Sequence, residues 1–103
     1  MIPIETKVVG VMFDQCQENI ELYSFPAFSR YELQREPDNE HDPNAVRVGV
    51  GDIKFGYLPA ELAQRIAPMM DSGRRLLAEH VALNQWQPHQ PLGLTVRITE
   101  ITE

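Results

Sequence analysis

Asp38, His41 and Asp42 place two carboxylates and an imidazole within five residues, the donor types of a hard or borderline metal site. Their spacing matches no metal-binding motif. Acidic turn residues this close together ordinarily bond their own backbone, so no metal is expected here. Cys16 is the single cysteine, which removes an internal disulfide and any cysteine-based zinc site. A catalytic thiol would need an activating partner, and sequence order does not say whether any of the three histidines lies near Cys16. A buried or incidental thiol is the expected reading. The chain carries no Ser-His-Asp order of known type and no phosphate-cradling glycine loop. No cofactor and no catalytic activity are expected.

Binding chemistry has more to work with. A surface for nucleic acid needs rings to stack on, hydrogen-bonding groups and some positive charge. Phe13, Arg35, His41, Tyr57 and Trp86 are the candidates. The competing reading makes Phe13 and Tyr57 aromatic residues at the core edge and Arg35 a surface charge. The formal net charge of −6 argues against broad, non-specific attraction to nucleic acid, although not against a small aromatic pocket.

Three of these candidates, Arg35, His41 and Tyr57, fall in residues 35–57, where Glu36, Asp38, Glu40 and Asp42 share ten residues with Pro37, Pro43, Asn39 and Asn44. So many turn-formers between strand-like segments make either a rigid corner or a binding loop on a rigid scaffold. Before the loop, Tyr31 and Leu33 alternate with Glu32 and Gln34, which predicts a strand over 31–35. After it, the pattern predicts a strand over 45–50, a tight turn at Gly51 and Asp52, and a return strand over 53–57.

The β-branched run over 6–13 predicts a strand with a bulge or close approach at Gly10. Residues 14–22 are polar and suit one helical turn or a loop. Residues 23–29 carry three rings around Pro26, expected to pin a loop onto the core. Pro59 at the first helical position and Glu61 in the first turn open the principal helix. Leu62, Ile66, Met69 and Met70 recur at helical spacing, Pro68 kinks or limits it, and Ser72-Gly73 ends it. Residues 74–86 fit either period; the preceding glycine and the following turn over 87–91 favour a strand. Leu92, Leu94, Val96 and Ile98 then form one face of a last strand.

With 103 residues and 43% hydrophobic content, the chain suits one domain spanning 1–103 with a single core. The tally is mostly β: five or six strands with one principal helix. A small antiparallel barrel with an inserted helix removes the exposed edges. No stretch approaches the length of a membrane span and the first residues do not read as a signal peptide, so a cytoplasmic protein with no membrane partner is expected.

Val8-Val9-Gly10-Val11, then Arg35-Glu36-Pro37-x-Asn39-x-x-Asp42-Pro43-Asn44-Ala45-Val46-x-Val48, then Gly56-Tyr57-Leu58-Pro59 and Ala63, together resemble the HIRAN domain. Residues 14–20 are also similar to the family, with Cys16 where an arginine is common. The match spans about 7–73 and leaves 74–103 as closing strands. The resemblance implies a modified OB-like β-barrel with inserted helices, and the chain looks like the small stand-alone bacterial members.

In the fork-remodelling helicases that carry it, the domain holds single-stranded DNA by its 3′ end. The resemblance therefore implies a non-catalytic module for single-stranded DNA or DNA 3′ ends, in repair or replication-fork processing. Phe13 matches a stacking tyrosine, while Asn39 and Asp42 match polar groups around the terminal sugar. His41 stands in place of a tyrosine and Tyr57 in place of a histidine. Met12 and Ala60 replace an arginine and a lysine, which should weaken phosphate attraction and flatten the salt dependence. Arg35 and Tyr57 would line the pocket. The alternative is a protein-interaction module that docks on a separate helicase or nuclease.

Overall fold

A computed structural model describes residues 3–24, 30–85 and 91–101. In chain order the elements are β1 (Ile4–Lys7), α1 (Cys16–Tyr23), β2 (Arg30–Arg35), β3 (Val46–Val50), β4 (Ile53–Tyr57), α2 (Ala60–Asp71), β5 (Leu76–Asn84) and β6 (Gly93–Glu100). Every strand pairing is antiparallel, in the order β1-β6-β5-β2-β3-β4. The two edges meet where Val9 and Tyr57 exchange backbone hydrogen bonds of 2.8 and 2.9 Å. One bridge thus curls the six strands into a barrel of OB-like character, and two helices complete a mostly β fold.

Alternation explains the barrel wall. In β6, Leu94, Val96 and Ile98 point into the core while Arg97 is exposed. Tyr31 and Phe55 meet edge to face at the centre, with ring centroids 4.9 Å apart. The Tyr31 hydroxyl lies 2.7 Å from His80 Nδ1, so the one polar atom of that buried ring is satisfied. Burial pushes the Tyr31 hydroxyl pKa up to about 12.

Ile66, Ala63 and Ala67 of α2 sit on the core, with Leu62, Met69 and Met70 packed around them. Pro59 stands one residue before the first helical turn, with φ −54°. The helix runs through Pro68 to Asp71. Pro68 and Gln64 are both exposed, so the Gln64 carbonyl that loses its helical donor faces water.

Two expectations need correction. The run over 6–13 is not one strand: β1 stops at Lys7, and the chain turns at Gly10, which has φ +72° and a carbonyl that accepts the Phe13 N–H. Residues 14–22 hold more than a single turn, because α1 makes eight residues of helix on the burial of Cys16 and Ile20 alone. Cys16 is fully enclosed, and burial raises its thiol pKa, which makes it a packing residue. Tyr23 belongs to that helix and is exposed, whereas the other rings of the 23–29 expectation lie outside the described residues. Trp86 and most of the 87–91 turn also lie outside them.

Candidate functional site

The loop over 36–45 is held by its own side chains. Asn39 Oδ1 accepts the N–H groups of His41 (2.8 Å) and Asp42 (3.1 Å), and Asp42 Oδ1 accepts that of Asn44 (2.8 Å). These are the Asx turns that Asn and Asp form readily. Backbone bonds from Glu36 to Ala45 and from Ala45 to Asp42 close the loop at its base.

Arg35 clamps the loop from outside. Its guanidinium donates to the carbonyls of Ala45 (2.8 Å) and Pro43 (3.0 Å) and grips both oxygens of Asp71 on α2. Only 15% of the Arg35 side chain is exposed. A planar fork suits this task, because it makes four bonds, to both Asp71 oxygens and two carbonyls, one more than an ammonium can donate.

The facing segment is built around backbone twists. Gly10, Asp14 and Gln15 all have positive φ (72°, 54° and 65°), and the non-glycine pair costs roughly 1–2 kcal/mol per residue. The twists turn Phe13 outward, leaving it 69% exposed beside Met12 at 60%. Gly56 allows the approach of this segment to β4: a Cβ there would lie 2.4 Å from the Val9 carbonyl oxygen.

Tyr57 forms the floor. Its hydroxyl donates to Glu36 Oε1 (2.8 Å), and the same oxygen accepts from Asn39 Nδ2 (3.1 Å), tying floor to loop. Lys54 Nζ lies 5.0 Å from the Tyr57 ring centroid and 2.6 Å from Asp14 Oδ2. Burial raises the Tyr57 pKa and the bond to Glu36 adds to it, against the opposing Lys54 charge. For Lys54 burial acts downward, but the bond to Asp14 and the Tyr57 hydroxyl outweigh it and the net shift is upward. At neutral pH the phenol is therefore a donor and the ammonium is charged.

Between these walls lies a cavity of about 530 Å³ lined by Gly10, Phe13, Asp14, Asn39, Glu40, His41 and Tyr57. A second cavity of about 220 Å³ is lined by Val9, Asn39, His41, Asp42, Ala45, Tyr57, Leu58 and Ala60. Asn39, His41 and Tyr57 belong to both, so the two form one groove. The groove brings together Phe13, Asn39, His41, Asp42 and Tyr57. It does not include Arg35, which sits behind the loop and faces another cleft.

Asn39 is largely spent on the frame, with both Oδ1 acceptor positions filled. Asp42 commits one oxygen to its turn, and His41 is exposed on the rim. Glu36, Lys54 and Asp14 were missed by sequence reasoning. Glu36 stands in the motif, but its link to Tyr57 crosses 21 residues. Lys54 and Tyr57, three residues apart, reach one side because a bulge opposite Val48 and Gly49 breaks the strand alternation. Among the described residues no three His, Cys, Asp or Glu side chains converge on a metal site.

The family model of the HIRAN domain matches residues 4–99. The chain belongs to the HIRAN domain family. A 74-residue stretch is 36% identical to a Fanconi-associated nuclease 1 homolog from rice, Oryza sativa subsp. japonica, covering 68% of this chain and 7% of that protein. A 41-residue stretch is 49% identical to the helicase-like transcription factor of Oryctolagus cuniculus, covering 39% of this chain and 4% of that protein. The chain thus spans under a tenth of the length of these relatives. The fold matches a crystal structure of a protein from Lactobacillus plantarum with a TM-score of 0.75 and 25% identity, covering 96% of this chain and 95% of that one. It also matches the HIRAN domain of human HLTF, with a TM-score of 0.68 and 21% identity, covering 95% and 74%.

Proposed function

We propose that this HIRAN domain is a non-catalytic nucleic-acid-binding module that takes the end of a single DNA strand in the groove between Phe13 and Tyr57. The supporting observation is the convergence of Phe13, His41, Asp42 and Tyr57 on one groove with an outward-turned ring at its mouth. The terminal base stacks on Phe13, with His41 against its other side. Asp42 accepts a hydrogen bond from the terminal sugar hydroxyl through the oxygen its turn leaves over. Asn39 acts chiefly by holding His41 and Asp42 in place. Relatives named as a nuclease and a helicase-like factor make DNA repair or replication-fork processing the natural setting.

The charge of the groove predicts which end it takes. Asp14, Glu40 and Asp42 line it, Lys54 is held by Asp14, and Met12 and Ala60 add no cation. A terminal phosphate would meet carboxylates, whereas a hydroxyl would meet acceptors. Fluorescence anisotropy with short single strands ending in a 3′-hydroxyl or a 3′-phosphate tests this. Tighter binding of the hydroxyl end than of either the phosphate end or blunt duplex is expected; equal binding of all three would sink the end-capture reading.

The same carboxylates favour a second reading, in which a basic side chain of a helicase or nuclease enters the aromatic groove. A lysine- or arginine-bearing peptide that displaces the strand, and binds more tightly than it, would prefer that reading.

A further inference from the structure

No Lys or Arg among the described residues lines either part of the groove, and Lys54, the cation held against its Tyr57 floor, is engaged. Its ammonium faces the Tyr57 ring and hydroxyl and donates to Asp14 Oδ2 at 2.6 Å. An isolated surface ion pair fixes little. This one is braced by α1 at both ends. Asn19 Nδ2 donates to the Lys54 carbonyl (2.9 Å), and Gln17 Nε2 donates to the Val11 carbonyl in the segment that leads to Asp14 (3.0 Å). The two members are unequal: the Lys54 side chain is 19% exposed and that of Asp14 69%, so the carboxylate is the one that faces the groove. Asp14 follows Phe13 directly, and its φ of 54° lies in the left-handed region, which Asp and Asn tolerate better than most residues.

We propose that Asp14 is the specificity-determining residue for the strand end: it sets a negative charge beside the stacking ring and keeps Lys54 from serving as a phosphate contact. The proposal rests on the end-binding reading and names the residue that decides there between a hydroxyl and a phosphate. Asp14, Glu40 and Asp42 all line the groove, but among the described residues only Asp14 of the three is paired with a cation. Loss of the Asp14 charge therefore acts twice, by removing a repulsion and by freeing an ammonium, whereas loss of the Glu40 charge acts once. A hydroxyl end offers neither effect a charge to act on. A phosphate monoester adds about −1.5 to −2 charge at neutral pH. In water two unit charges about 6 Å apart alter affinity roughly threefold, so the Asp14 charge alone disfavours a terminal phosphate by about five- to tenfold.

Anisotropy titrations with two trinucleotides, one ending in a 3′-hydroxyl and one in a 3′-phosphate, test the proposal on the wild type and three variants. Asp14→Asn, which suits the same backbone angle, should tighten the phosphate end by about tenfold and leave the hydroxyl end within about threefold. Adding Lys54→Met should take back about threefold of that gain, and Glu40→Gln should gain less than Asp14→Asn. Melting curves report whether each variant folds. The wild type gives a check that needs no variant: salt screens repulsion, so its preference for the hydroxyl end should shrink as salt rises from about 0.05 to about 0.5 M. A preference that grows with salt overturns the proposal. So does an Asp14→Asn protein whose preference is unchanged, or one that binds both ends more weakly and melts earlier, which would make the ion pair a brace for Phe13 alone. A double variant that keeps the whole gain, or a Glu40→Gln gain equal to that of Asp14→Asn, also overturns it. In each of these cases the hydroxyl end still binds the wild type and the groove reading stands. Failure of both trinucleotides to bind the wild type defeats the groove reading and this one with it.

Discussion

The loop over 36–45 and the segment over 10–15 line one groove but are built in opposite ways. In the loop, Asn39 and Asp42 spend their polar atoms on backbone N–H groups, Glu36 joins Asn39 to Tyr57, and Arg35 closes the structure from behind. The segment instead rests on three positive-φ residues and projects Phe13 and Met12 into solvent. One wall is stiff and polar because its side chains bond to the loop itself. The other presents apolar surface that its own fold does not use. The difference teaches where to look for binding energy: changes in the stiff wall should cost stability first, and changes in the ridge should cost binding alone.

Arg35→Ala should have the largest effect. It strands two loop carbonyls and the Asp71 carboxylate, and hydrogen bonds to charged groups are worth about 1.5–3 kcal/mol, so a loss of roughly 3 kcal/mol is expected in urea unfolding. An Arg35→Ala protein as stable as the wild type would mean that the loop holds itself. Phe13→Ala should separate the two quantities: stability within about 0.5 kcal/mol of wild type in the same assay, and strand binding weaker by about 1–3 kcal/mol. Lost stability in Phe13→Ala would show that the ring packs where the account leaves it free.

How far these walls could be read from sequence differs in the same way. The strand pattern of β3, β4 and β6 was legible because period-two alternation follows directly from which side chains face the core. The break after Lys7 was not, because it turns on the backbone angle of Gly10 rather than on any change in hydrophobicity. Nor was the full length of α1, which buries only Cys16 and Ile20 and begins at Gln15 without a side-chain cap. For the site, the motif residues Asn39, His41, Asp42 and Tyr57 and the outlying Phe13 meet in space. Arg35 showed the limit. An arginine before a turn-rich loop reads equally as a pocket cation or a clamp, and only the position of Asp71, 36 residues on, distinguishes them.

Smaller effects refine the comparison. Glu36→Gln keeps the shape but turns the acceptor of the Tyr57 hydroxyl from charged to neutral, so about 1 kcal/mol of stability should go, with a parallel loss in strand binding. Loss of binding without loss of stability would move Glu36 from the frame to the ligand. The smallest effect lies at the edge of the core, at half-buried His80. Burial lowers the His80 pKa, so as pH falls through the ordinary histidine value near 6.5 the unfolded chain takes up protons that the folded state resists. Stability should therefore fall between about pH 7 and pH 5, and His80→Gln should flatten that dependence in denaturant melts. Because His80 faces Tyr31 and lines neither wall of the groove, strand binding at pH 7 should be unaffected.

The central claim is that Phe13 and the 36–45 loop close on the end of one strand. It is tested most directly by titrating isotope-labelled protein with a 3′-hydroxyl trinucleotide and following amide and ring shifts by NMR. The account predicts the largest shifts at Phe13, His41, Asp42 and Tyr57, with α1 and the β6 face silent. Shifts centred elsewhere, or no shifts at saturating trinucleotide, would contradict it.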